Sequence, residues 1–153
     1  LKDDEGHRYL YSYVIMYQWG WESVVKKKKY LLDKATDFDK AKFFGASAQR
    51  TYLIYATGSK LYAYDYVAEK VQLLQDFGDQ EITLLHCDLL VETGAGDDFF
   101  YVGTYDPSLP KETGGTLTKY RVVNDPNNII VEKVPGFSWS GLCKIKSIDF
   151  KKN

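Results

Sequence analysis

Cysteine is scarce in this chain: Cys87 and Cys143 are the only two among 153 residues. Neither lies in a Cys-x-x-Cys pair, and no histidine or second cysteine stands at zinc-ligand spacing from either. That excludes a sequence-evident zinc site and a disulfide framework. Both cysteines sit in apolar, strand-like stretches, so the expectation is two buried reduced thiols. A disulfide between adjacent repeats stays open. Basic excess is also lacking. Lys plus Arg is 20 against 21 for Asp plus Glu, a net charge of -1. A nucleic-acid protein would carry a basic footprint, so no nucleic acid is expected as a partner. No apolar run reaches the length of a transmembrane helix. The chain opens at Leu1 with no leader and no lipobox cysteine, so a removed leader or a longer gene product is the expectation.

Aromatic residues are abundant, at 16% with 13 tyrosines. Tyrosine suits half-buried pleated surfaces, which points to strands before any pattern is read. Most of the tyrosines should pack inside. The clearest segment runs from Arg50 to Phe77. Thr51–Ala56 reads as a strand, Thr57-Gly58-Ser59 as a tight turn, Lys60–Tyr66 as a strand, Val67–Lys70 as a turn and Val71–Leu74 as a third strand. Both side-chain sets of the first strand are apolar: Tyr52, Ile54 and Ala56 on one face, Thr51, Leu53 and Tyr55 on the other. A sheet with one wet face would alternate apolar and polar. This sheet must be covered on both sides.

The unit recurs. Ile82–Leu90, Phe99–Tyr105, Thr116–Val123 and Ile129–Val134 read as four further strands. Repeats of roughly 40–50 residues with four strands each are a propeller signature. The predicted fold is therefore all-β: four-stranded antiparallel blades forming a partial β-propeller of about three blades. The units lie near residues 1–36, 37–79 and 80–136, and 143–151 opens a further blade. Such a chain cannot close a ring alone.

Motifs with chemistry are few. The Lys26-Lys27-Lys28-Lys29 run reads as an exposed strand whose lysines block edge pairing, ahead of an anion or polysaccharide contact. His86 lies in an apolar strand and His7 near the start; neither has partner spacing for metal or catalysis. Gly136–Gly141 misses the glycine that a nucleophile elbow requires, and no helix follows. Gly94–Asp98 is glycine-rich without opening a helix; two carboxylates, Asp97 and Asp98, are too few for a calcium site, so it reads as a polar turn. Asp106–Pro110 is an inserted loop without ligand chemistry. No catalytic residue, metal ligand or cofactor is predicted. The candidate binding residues are Trp19, Trp21 and Trp139, read as loop tryptophans able to stack on sugar rings or bury against a partner.

Several phrases resemble the C-terminal half of the PKD-like family of Bacteroidetes lipoproteins. They are Asp37–Phe44, Tyr62-Ala63-Tyr64-Asp65, Val102–Pro107, Gly114-Gly115-Thr116-Leu117 and the ending from Gly141-Leu142 through Ile148-Asp149-Phe150. The resemblance implies an envelope protein at the outer-membrane surface or in the periplasm, lipid-anchored, often encoded near nutrient-uptake systems. It implies PKD modules before the propeller-like repeats; this chain carries neither those nor the lipobox, so contact with a membrane would be only through an anchor absent here. The resulting expectation is a non-enzymatic binding module for a glycan, a peptide or an envelope protein. Two alternatives stand beside it: a propeller enzyme with its site in other blades, and an assembly domain self-associating through open blade edges.

Overall fold

The computed structural model describes residues 5–18, 20–46, 51–88, 98–124 and 127–148. Among these residues, ten antiparallel strands form three sheets. A hairpin pairs β1 (Tyr9–Gln18) with β2 (Trp21–Leu31). The first four-stranded sheet holds β3 (Phe43–Ala46), β4 (Tyr52–Thr57), β5 (Lys60–Asp65) and β6 (Lys70–Asp76) in sequence order. The second holds β7 (Glu81–Asp88), β8 (Asp98–Tyr105), β9 (Gly115–Asn124) and β10 (Ile129–Leu142), again in sequence order.

Turn chemistry sets these meanders. Gly58 takes φ +58 at the first central position of the two-residue β4–β5 connection, the place where a type II′ hairpin turn wants glycine. After β5, the Asp65 carboxylate accepts the backbone N–H groups of Val67 and Ala68, each at 2.9 Å, and closes the next turn. After β8, Asp106 does the same for Ser108 at 2.9 Å, and Tyr105 donates its hydroxyl to the Leu109 carbonyl at 2.8 Å.

The two-sided apolar pattern of β4 and β5 is resolved by two separate cores. Tyr52, Ile54, Ala56 and Leu61 face the second sheet and meet Ile82, Leu85, Phe100, Val102, Tyr120 and Val122. The opposite face, with Leu53, Tyr55, Tyr62 and Tyr64, is covered by Leu32, Ala35, Leu10 and Phe38. Tyr55 and Tyr64 are fully buried yet satisfied: their hydroxyls donate to the carbonyls of Thr36 at 2.8 Å and Leu31 at 3.0 Å. Fully burying one such large side chain contributes about 1.5–3 kcal/mol.

The sheets stack strand on strand. β3 lies against β7 and β6 against β10. At the outer strands, the Gln72 amide donates to the Ile129 carbonyl at 2.6 Å and accepts the Ile129 N–H at 3.0 Å, so one side chain stands in for a backbone partner. The buried Tyr52 hydroxyl donates to the Asp98 carboxylate across the same interface.

Several expectations change. Among the described residues the unit near 1–36 holds two strands, β1 and β2, and a short 3-10 helix, Phe38–Lys40, lies between it and β3. As expected, no sheet among the described residues is closed into a ring. Asp98 is a buried strand residue at the start of β8, not part of a solvated turn; residues 94–97 lie outside the described residues. Gly136–Gly141 belongs to the long strand β10, with irregular register between Lys133 and Leu142. Residues 143–148 form no strand, and 149–151 lie outside the described residues. That stretch nonetheless lies on the outer face of the second sheet. The Lys144 N–H donates to the Lys111 carbonyl at 2.7 Å, and Ile145 stands over Gly103.

Glycine makes this approach possible. A Cβ on Gly115 would fall 2.2 Å from the Cys143 carbonyl oxygen, a clash with backbone that no rotamer relieves. Gly115→Ala is therefore expected to lower stability by about 1–3 kcal/mol, the usual cost of overpacking. It should also speed tryptic cleavage after Lys144 and Lys146. Urea midpoints and a timed digest check both; unchanged values would show that the terminal stretch is not held there.

Candidate functional site

An aromatic concavity lies at the edge of β1, between the hairpin and residues 38–44. It is a cleft of about 570 Å³ lined by Arg8, Tyr9, Leu10, Tyr11, Tyr13, Leu32, Phe38, Asp39 and Phe44. Period-2 alternation puts Tyr9, Tyr11 and Tyr13 on one side of the strand. Their rings follow one another at 6.4 and 6.5 Å, the second pair stacked. Phe38 sets the other wall, edge-on to Tyr55 at 5.1 Å and to Phe44 at 6.0 Å. Phe44 is 63% exposed and Tyr13 51%, so the rims are wet while the floor is packed.

Two charged groups meet in this apolar setting. Arg8 Nη1 lies 3.5 Å from the Asp39 carboxylate, an ion-pair distance too long for a good hydrogen bond. That nitrogen is buried and has no hydrogen-bond partner, so the guanidinium keeps a donor to offer. The Arg8 backbone is fixed from the other side: its N–H donates to Asp33 at 2.9 Å, and its carbonyl accepts from Leu32 at 2.8 Å. The Arg8 N–H and the His7 ring, which also bonds Asp33, hold the Asp33 carboxyl below its ordinary range. Nearby, the Lys29 ammonium sits 3.5 Å over the Tyr9 ring. Apolar walls with a few placed polar groups are the usual make-up of a small-ligand site.

The predicted tryptophans do not build this site. Trp19 lies outside the described residues. Trp21 opens β2 opposite Gln18 at the hairpin tip, a strand position and not a loop. Trp139 is likewise a strand residue, opposite Leu117 in β10. It is 43% exposed and meets Phe137 edge-on at 5.9 Å. It belongs to the second sheet, so the structure does not bring it together with Trp21. Around it a second aromatic group gathers: the Lys119 ammonium stands 4.5 Å from the Phe99 ring and 5.1 Å from that of Phe137.

Other candidates find plain positions. Lys28 and Lys29 are exposed on β2. His86 lies in β7, 6.4 Å from the Tyr101 ring. No group of three or more His, Cys, Asp or Glu residues able to hold a metal occurs among the described residues. Both cysteines are free thiols, as expected, but only one is sheltered. Cys87 packs beside the inter-sheet core, and burial, with the nearby Asp98 charge, pushes its thiol up to about 12. Cys143 is exposed and free, because the terminal stretch crosses a sheet face instead of entering a core. No protein-family model, curated protein or solved structure matches the chain.

Only thiolate reacts with common alkylating reagents. One thiol, Cys143, is therefore expected to label quickly in the native protein, and the second only in denaturant. Mass spectrometry of the labelled peptides checks this; rapid native labelling of Cys87 would contradict its burial.

Proposed function

We propose that this chain is a non-enzymatic binding module that captures a glycan in the cleft beside β1. The observation that carries this reading is the combination of Tyr9, Tyr11, Tyr13, Phe38 and Phe44 with the Arg8–Asp39 pair. A pyranose presents apolar C–H faces and a polar rim. Aromatic rings complement the faces, and an arginine with an unused donor beside a carboxylate complements neighbouring hydroxyls. The two stacked sheets are read as successive blades of a partial propeller. Each has four strands in sequence order, and the chain passes from the last strand of one to the first of the next. On the resemblance to PKD-like envelope lipoproteins, we read such a module as acting at a bacterial surface in the service of nutrient capture.

Calorimetry against a panel of soluble polysaccharides and oligosaccharides tests this, with a peptide panel as the competing class. Binding to at least one glycan is expected. Phe44→Ala and Arg8→Ala should each weaken it by about fivefold or more, since truncating a central contact typically costs over 1 kcal/mol. Glycan binding untouched by both substitutions, or binding of peptides alone, would overturn the reading.

A further inference from the structure

We propose, resting on the glycan reading of the β1 cleft, that its ligand is an extended, unbranched stretch of polysaccharide and not a free small sugar. The chain lies along β1 with successive sugars on Tyr9, Tyr11 and Tyr13. The spacing of the three rings carries this. Alternate residues of a strand lie about 6.4–6.8 Å apart along its axis. The Tyr9 and Tyr11 ring centroids are 6.4 Å apart, and those of Tyr11 and Tyr13 are 6.5 Å apart. The rings thus keep the repeat of the backbone that bears them. The apolar face of a pyranose is comparable in size to a phenol ring. A lone sugar therefore covers one tyrosine and leaves its neighbours wet. Covering the row takes a ligand in which sugar follows sugar.

The row has a direction. Its inner end is built for anchoring. Tyr9 and Tyr11 are half-buried there. Arg8, the residue before Tyr9, brings its buried Nη1 to 3.5 Å from the Asp39 carboxylate. The Lys29 ammonium, 3.5 Å over the Tyr9 ring, adds a further donor. The outer end is open, with Tyr13 51% exposed and Phe44 63%. The Tyr11 and Tyr13 rings are only 25° from parallel, so they offer similarly turned faces to neighbouring sugars. The first sugar accordingly seats by Tyr9 and the Arg8–Asp39 pair, the second on Tyr11 and the third on Tyr13 at the rim.

Linkage makes such a row effective. The first sugar loses its translational and rotational freedom on binding. A sugar joined to it meets its own ring at a high effective concentration and gives up mainly its linkage torsions. Stacking contacts too weak to hold a single sugar then add along a chain. Affinity climbs with each sugar until the row is covered and levels off beyond it.

Calorimetric titration of the full chain with size-fractionated oligomers of one to five sugars tests this. The oligomers are cut from linear glucan, xylan, mannan and galactan and run beside the parent polymers. At least one polymer should bind, and its single sugar only weakly. Affinity should rise about fivefold or more at the second sugar and again at the third, the scale of loss when a central contact is truncated, and then level off. Tyr13→Ala, at a half-exposed position, should bring the trisaccharide down to the affinity of the disaccharide. Binding of the disaccharide and the circular dichroism should not change. Tyr13→Phe keeps the ring and should keep the third step. A single sugar that binds as tightly as its trisaccharide, or a Tyr13→Ala chain that retains the third step or weakens every length alike, would overturn the proposal and leave glycan capture standing. Binding of no polymer would overturn both.

Discussion

A sheet whose strands are apolar on both faces must be covered on both faces. That constraint organises everything else in this chain. β4 and β5 carry Leu53, Tyr55, Tyr62 and Tyr64 on one side and Tyr52, Ile54, Ala56 and Leu61 on the other, all buried. With no packing helix among the described residues, the cover must come from other sheets and from connecting segments. The second sheet supplies one cover. Residues 32–41 and the hairpin supply the other. The same demand passes outward to the second sheet, whose far face receives the stretch after β10.

The candidate site is a by-product of how the second cover is built. A connecting segment and a hairpin meet there instead of a four-stranded sheet, with a cleft between them at the β1 edge, walled by aromatic rings and holding an arginine and an aspartate. Buried polar groups are costly unless satisfied, so Arg8 Nη1 at 3.5 Å from Asp39 marks a place where packing alone does not explain the residue.

The sheets were legible in the sequence because strand signals are local. Tight turns at Gly58 and after Asp65 delimit β4, β5 and β6, and two-sided apolarity announced stacking. The hairpin was legible too, because Tyr9–Tyr17 and Val24–Leu32 carry strand residues around the Gly20 turn. The terminal alternation from Lys144 read as a strand, yet a strand requires a neighbour with which to pair, which a single sequence cannot supply. The site was missed for a related reason. Tryptophan drew attention by rarity, whereas Tyr9, Tyr11 and Tyr13 looked like ordinary pleated-sheet residues. Their shared face was legible from period 2. Its meeting with Phe38, Phe44 and Arg8 depends on contacts across some 30 residues, which no local pattern encodes.

The central claim is that the two four-stranded sheets are one cooperative body joined by the core from Ile54 to Val122. Native-state hydrogen exchange measures this directly, because amides that open together share one exchange free energy. The expected result is that central amides of β4, β5, β8 and β9 exchange at a common, highest free energy, with β1 and β2 lower. The contradicting result is a first sheet that keeps its protection while the second exchanges freely, since two sheets held by one core cannot open independently.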